Sequence, residues 1–94
     1  MSNNSKDTIY IGKKPLMTYV TTAIIQLATQ PSVTIKARGL TTSIAIDVVQ
    51  LVIRKTKPVF QVGDIKIGSE SLISSDGRHR DVSTIDISIT RTAA

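Results

Sequence analysis

The chain has 94 residues, enough for one small domain with a modest core, and its hydrophobic content of 40% favours folding over disorder. Twelve Lys and Arg against seven Asp and Glu leave a net charge of +5, which favours an anionic partner such as nucleic acid. Cysteine is absent and histidine occurs once, which excludes disulfides and thiolate metal sites, so we expect no bound metal and no cofactor.

Residues 1–7 are mostly polar and predict a flexible N-terminal tail that lacks the apolar core of a signal peptide. The folded domain is predicted to occupy residues 8–92. The apolar run at residues 51–53 ends at Arg54 and is far too short for a membrane span. We therefore expect a soluble, cytoplasmic protein that does not contact a membrane.

Hydrophobic periodicity predicts a strand, a helix and a second strand in the first part of the chain. Residues 8–11 alternate, with Ile9 and Ile11 on one face. A helix at residues 15–29 follows, because Pro15 suits the first helical position and apolar residues then recur at helical spacing. This apolar stripe consists of Leu16, Val20, Ala23, Ile24 and Leu27. Residues 33–38 alternate again, which predicts a strand with Lys36 and Arg38 pointing outward together.

A second helix, predicted at residues 42–55, carries more apolar surface than one face can bury. A helix that is apolar on two sides is buried on two sides, so we predict that one side meets the sheet and the other a second subunit. The residues expected at this homodimer interface are Ile44, Val48, Leu51 and Val52.

Two long strands, predicted at residues 59–74 and 82–90, close the chain around the turn signal Ser75-Asp76-Gly77. Gly63 and Gly68 interrupt the first of these strands and suggest bulges or bends. The order of elements is β-α-β-α-β-β. It predicts an α+β fold, a single compact domain with a long C-terminal β-hairpin arm.

Lys13 and Lys14 lie directly before the first predicted helix, where unpaired backbone N–H groups concentrate positive potential. Two cations there are unfavourable unless an anion joins them, and a helix N-terminus readily binds phosphate. Tyr19 follows early in the same helix. Either its hydroxyl reaches a phosphate, or its ring packs on the body of the domain.

Several segments of the sequence resemble one protein family. Residues 11–20 (IGKKPLMTYV) and 35–39 (IKARG) closely resemble the two most recognisable segments of the Alba family of archaeal chromatin proteins. Residues 45–49 (AIDVV), 76–78 (DGR) and 82–87 (VSTIDI) are also similar to the family. The resemblance runs in order along nearly the whole chain and implies the same β-α-β-α-β-β domain.

The resemblance further implies a chromosome-associated dimer that coats and condenses double-stranded DNA without sequence preference, and that also binds RNA. Lys13 and Lys14 match the paired lysines at the family's nucleic-acid surface, where reversible acetylation is a known theme, so Lys13 is a possible acetylation site. Lys36 and Arg38 match basic positions on the same surface. Tyr19 lies close to the lysine pair and is included among the expected nucleic-acid-binding residues.

Arg78 and Arg80 fall in the hairpin arm, which in this family reaches along the minor groove. The negative potential of a narrow minor groove attracts arginine without reading of the bases. Thr56 stands where a phenylalanine often mediates contacts between dimers in the family. This departure is compatible with hetero-dimers formed with a paralogue.

Three functions remain open from the sequence. The first is an architectural protein that binds duplex DNA through its phosphates, and the second is an RNA chaperone or a ribonucleoprotein subunit that binds structured RNA. The third is an assembly module whose basic face meets an acidic protein. An enzyme is not predicted, because the carboxylates show no spacing suited to acid–base chemistry and no serine or threonine is marked as a nucleophile.

Overall fold

A computed structural model of the chain describes residues 7–93, so the predicted tail, apart from Asp7, lies outside the described residues. The strands are β1 (Thr8–Tyr10), β2 (Ser32–Arg38), β3 (Phe60–Ile73) and β4 (His79–Arg91). The helices are α1 (Leu16–Leu27) and α2 (Thr42–Thr56), with a short 3-10 helix, Gly39–Thr41, before α2. The predicted order and the α+β class are confirmed.

The four strands form one sheet in the order β1-β2-β4-β3. β1 and β2 are parallel, as a strand–helix–strand connection through α1 requires, whereas β4 is antiparallel to both of its neighbours. Because β1 and β2 run in the same direction, their carboxyl ends lie at the same end of the sheet. Tyr10 and Arg38 are the last residues of these two strands.

Both helices cover one face of the sheet, and the core lies between them. Val33 and Ile35 on β2 and Ile89 on β4 are fully buried there, together with residues from both helices. The opposite face of the sheet carries Tyr10, Lys36, Arg38, Glu70 and Asp86, and we call it the open face. Along β2 and the part of β4 that pairs with it, alternation assigns the apolar residues to the helix side and the polar residues to the open face.

The hairpin of β3 and β4 extends well beyond the rest of the sheet. β2 ends opposite Thr84, so residues 69–83, which we call the arm, continue as a two-stranded ribbon past it. The longest dimension of the domain is 50 Å, close to the length of the 14-residue strand β3 at about 3.3 Å per residue. β4 begins at His79 rather than at residue 82 as predicted, because its pairing with β3 continues to the pair of Ile73 and His79.

Glycine has a structural reason at three positions. Gly39 and Gly77, with φ of 62° and 85°, make the turns that follow β2 and cap the arm. The register of β3 shifts between Val62 and Ile65, which confirms the irregularity predicted at Gly63. At Gly68 the pairing with β4 continues unbroken, so a bulge at that position is excluded.

Candidate nucleic-acid interface

The loop of residues 12–15 joins β1 to α1, and we call it the lysine loop. Its start is fixed to the sheet, because the backbone N–H of Ile11 donates a hydrogen bond of 2.9 Å to the carbonyl of Lys36. Lys13 and Lys14 are exposed, and neither forms an ion pair with any of residues 7–93. Their charges are therefore directed at solvent.

The N-terminus of α1 keeps its positive potential. Pro15 occupies the N-cap, one residue before the first helical position predicted for it, and makes no side-chain cap. No acidic residue lies in the first turn of α1. With neither a cap nor a carboxylate to offset them, the free N–H groups and the two lysines present the same sign of charge to solvent.

Tyr19 is buried, with 5% of its surface exposed, and its ring packs in the core. Its hydroxyl oxygen accepts hydrogen bonds from the backbone N–H groups of Gly12 (2.8 Å) and Lys14 (2.9 Å). Of the two roles predicted for Tyr19, the structure shows the packed ring. It also shows the hydrogen bonds of the hydroxyl to the lysine loop, which the sequence did not indicate. The side chain holds the lysine loop against α1.

The two predicted cations of β2 are paired with carboxylates on the open face. Lys36 Nζ lies 3.3 Å from Asp86 Oδ2, and Arg38 Nη1 lies 2.5 Å from Glu70 Oε1. Lys36 and Asp86 are opposite each other in the register of β2 and β4, which explains the first pair. Unlike the lysine loop, this part of the basic surface is largely neutralised within the chain.

The arm carries Arg78 in its turn and Arg80 on β4. The Arg78 backbone N–H donates to Asp76 Oδ1 at 3.1 Å, and its Nε lies 3.5 Å from Asp76 Oδ2. Hydrogen bonds from the Ser74 hydroxyl and from the Arg78 backbone lower the pKa of Asp76, so this carboxylate stays charged well into the acid range. Arg80 is exposed and forms no ion pair with the described part of the chain.

Topology brings the predicted site residues to one end of the domain. The lysine loop follows the carboxyl end of β1, and Arg38 ends the parallel neighbour β2. The arm starts beside Arg38, because Arg38 pairs with Thr84. The arm end of the sheet therefore carries Lys13, Lys14 and Arg38. Lys36 lies two residues before Arg38 in β2.

The predicted dimer interface needs a correction at Val48 and Val52, whereas Ile44 and Leu51 stay a prediction. Val48 and Val52 are fully buried inside the single chain and have no surface left for a second subunit. α1 also packs against α2, and Ile44 and Leu51 are only half-buried beside the core. The second apolar side of α2 is thus covered in part by α1, which the helical pattern alone did not reveal.

Exposed apolar surface lies instead where α2 meets the edge of the hairpin. Ile46 on α2 and Ile65 and Ile67 on β3 are exposed, and Ile67 keeps 82% of its surface. Ile46 and Ile65 line a shallow groove together with Val49, Gln50, Val62, Ile85 and Ile87. We call these residues, with Ile67, the apolar patch. It lies on the side of the sheet that faces the helices.

Among residues 7–93, no group of three or more His, Asp or Glu is placed to hold a metal ion. In the same part of the chain, neither helix has the length and apolar character needed to cross a membrane. The features that distinguish the described surface are charge and exposed apolar area.

The fold of this chain is similar to the folds of solved structures. The fold matches that of Alba from Thermoplasma volcanium, which superposes on this chain with a TM-score of 0.82. The two sequences are 35% identical, and the match covers 89% of this chain and 99% of that one. ALBA1 from Trypanosoma brucei shares the fold with a TM-score of 0.72 at 17% identity, over 96% of this chain and 73% of that one.

The sequence comparisons agree with the fold. The Alba family model matches residues 7–69. The DNA/RNA-binding protein Alba of Nitrosopumilus maritimus (strain SCM1) is 59% identical over the whole length of both chains. The chain belongs to the Alba family, as the resemblance in its sequence implied.

Proposed function

We propose that the chain is an architectural protein that binds duplex DNA through its phosphates, independently of sequence, and that it also binds RNA. The observation that carries this proposal is the lysine loop, whose two exposed lysines form no ion pair with residues 7–93 and precede a helix N-terminus without a side-chain cap. The loop lies at the same end of the sheet as the arginine-bearing arm. The relative from Nitrosopumilus maritimus, described as a DNA/RNA-binding protein, supports the choice of ligand.

Lys13 and Lys14 act as point charges on the phosphate backbone and carry no sequence information. Binding releases the counterions that the phosphates had condensed, so affinity falls steeply as salt rises. Arg78 and Arg80 extend the contact along a groove of the duplex. The contribution of Arg78 to binding is reduced because its side chain is paired with Asp76. Acetylation of the exposed Lys13 would remove one of these charges and reduce affinity.

Lys36 and Arg38 contribute less than the lysine loop in this proposal. A phosphate that approaches Arg38 must displace Glu70 or share the guanidinium with it, and the released carboxylate then repels the phosphate. Tyr19 acts through the loop that it holds rather than on the nucleic acid itself.

The assembly that binds is a dimer of this chain, or a hetero-dimer with a paralogue, formed through the apolar patch. Apolar side chains as exposed as Ile65 and Ile67 are stabilised by burial against a partner surface of the same kind. A twofold interface there gives each assembly two lysine loops and two arms. Such a dimer would bind along chromosomal DNA through contacts to the sugar-phosphate backbone and without reading the bases.

Competition binding tests the choice of ligand. Fluorescence anisotropy with DNA duplexes of unrelated sequence and a length-matched RNA duplex is expected to give similar dissociation constants among the DNA duplexes. The ratio of DNA to RNA affinity shows which duplex is preferred. A strong preference for one DNA sequence contradicts the backbone mechanism, and negligible binding to all duplexes at low salt favours an acidic protein partner instead.

A further inference from the structure

The open face carries one strongly exposed aromatic side chain. Tyr10, the last residue of β1, keeps 71% of its surface exposed. Alternation along β1 sends Ile9 into the core beside Ile35 and sends Tyr10 to the opposite face, directly beside Lys36 in the register of β1 and β2. An exposed ring fixed on a strand offers a flat apolar surface to a planar ligand.

Tyr10 forms one wall of a groove of about 540 Å³ on the open face. The polar side chains that line it with Tyr10 are Lys36, Arg38, Glu70, Thr84 and Asp86. The two cations and the two carboxylates among them are paired with each other. The groove therefore presents donors and acceptors in balance, without a net charge.

This combination suits a nucleobase better than a phosphate. A phosphate needs uncompensated positive charge, and the paired carboxylates of the groove would repel it. A base offers a π-face that stacks on an aromatic ring, and an edge whose donors and acceptors match ammonium, guanidinium and carboxylate groups. Lys13 of the lysine loop follows Tyr10 by three residues, so uncompensated charge for the adjoining phosphates lies next to the groove.

We propose that this groove is a binding site for an unpaired base of single-stranded nucleic acid, stacked on Tyr10, with its edge hydrogen-bonded to the polar side chains of the groove. The site rests on the proposed function for its neighbouring phosphate contacts, but the base contact is separate from them. The apolar patch lies on the helix side of the sheet, so a dimer formed there leaves the open face free.

The experiment separates base contact from phosphate contact. Binding of the native chain to an oligonucleotide of uridines is compared with binding to an abasic oligonucleotide of the same length, which keeps the phosphates and lacks the bases. The same pair of ligands is then measured with Tyr10→Leu, which removes the ring from an exposed strand position, and with Tyr10→Phe, which keeps it. Thermal unfolding checks that both variants fold.

The native chain and Tyr10→Phe are expected to bind the uridine strand more tightly than the abasic strand by about tenfold, the size of one base–aromatic stacking contact. Tyr10→Leu is expected to lose this preference while it binds the abasic strand and a DNA duplex like the native chain. Equal binding of both strands by the native chain, or an undiminished preference in Tyr10→Leu, overturns the site. Loss of duplex binding in Lys13→Ala/Lys14→Ala bears on the proposed function alone.

Discussion

Removal of one oxygen atom from Tyr19 tests how the lysine loop is held. Tyr19→Phe keeps the buried ring but leaves the N–H groups of Gly12 and Lys14 without their acceptor. Each of the two hydrogen bonds contributes about 1 kcal/mol, and water can reach these partly buried amides, so we expect the variant to lose about 1–2 kcal/mol of unfolding free energy. For a domain of this size, each kcal/mol lowers Tm by about 4–8 °C.

The same variant is expected to weaken duplex binding only modestly. All lysines and arginines remain, so the slope of affinity against salt stays native. The looser loop must be ordered on binding, which costs about 0.5–1 kcal/mol, or about a two- to fivefold rise in Kd. Thermal unfolding at fixed protein concentration and anisotropy across a salt series measure the two effects. Native stability combined with weaker binding would refute this reasoning, because the hydroxyl would then act on the nucleic acid directly and not through the loop that it holds.

Two further substitutions test the remaining parts of the surface. Glu70→Gln frees the guanidinium of Arg38, and we expect duplex affinity in anisotropy titrations to rise about two- to fivefold, the scale of an exposed ion pair. The control Asp64→Asn removes the same charge from an exposed position elsewhere on β3 and is expected to raise the affinity less. An equal rise in the two variants would refute a local effect on Arg38. Ile67→Lys introduces a charge into the apolar patch, so sedimentation is expected to show that the proposed dimer is weakened by about tenfold or more. Ile25→Lys on α1 changes another exposed isoleucine and is expected to leave the proposed dimer unchanged. Equal effects of the two lysine substitutions would place the interface elsewhere.

Periodicity in the sequence was enough to predict the elements and their order. The strand predicted from alternation at residues 33–38 and the turn predicted at residues 75–77 both depend on neighbouring residues alone. Both form in the folded chain. Alternation at residues 8–11 likewise placed Tyr10 on the face of the strand that points away from Ile9. It could not show that the face carrying Tyr10 stays uncovered, because that depends on where the helices pack.

The contacts that the sequence missed are those fixed by distant parts of the chain. The pairing of Lys36 with Asp86 depends on the register between β2 and β4, which lie about 50 positions apart along the chain. Helical spacing could not show which apolar side of α2 the helix α1 would cover, and for this reason Val48 and Val52 were wrongly assigned to the dimer interface.

The most direct test of phosphate binding by the lysine loop is the salt dependence of duplex affinity. We would measure it for the native chain, for Lys13→Ala/Lys14→Ala, and for Lys55→Ala/Lys57→Ala, which removes two exposed lysines at the C-terminal end of α2. Phosphate neutralisation by the loop predicts that the slope of log K against log salt falls by about two in the first variant and stays native in the second. Equal slopes in all three proteins would contradict it.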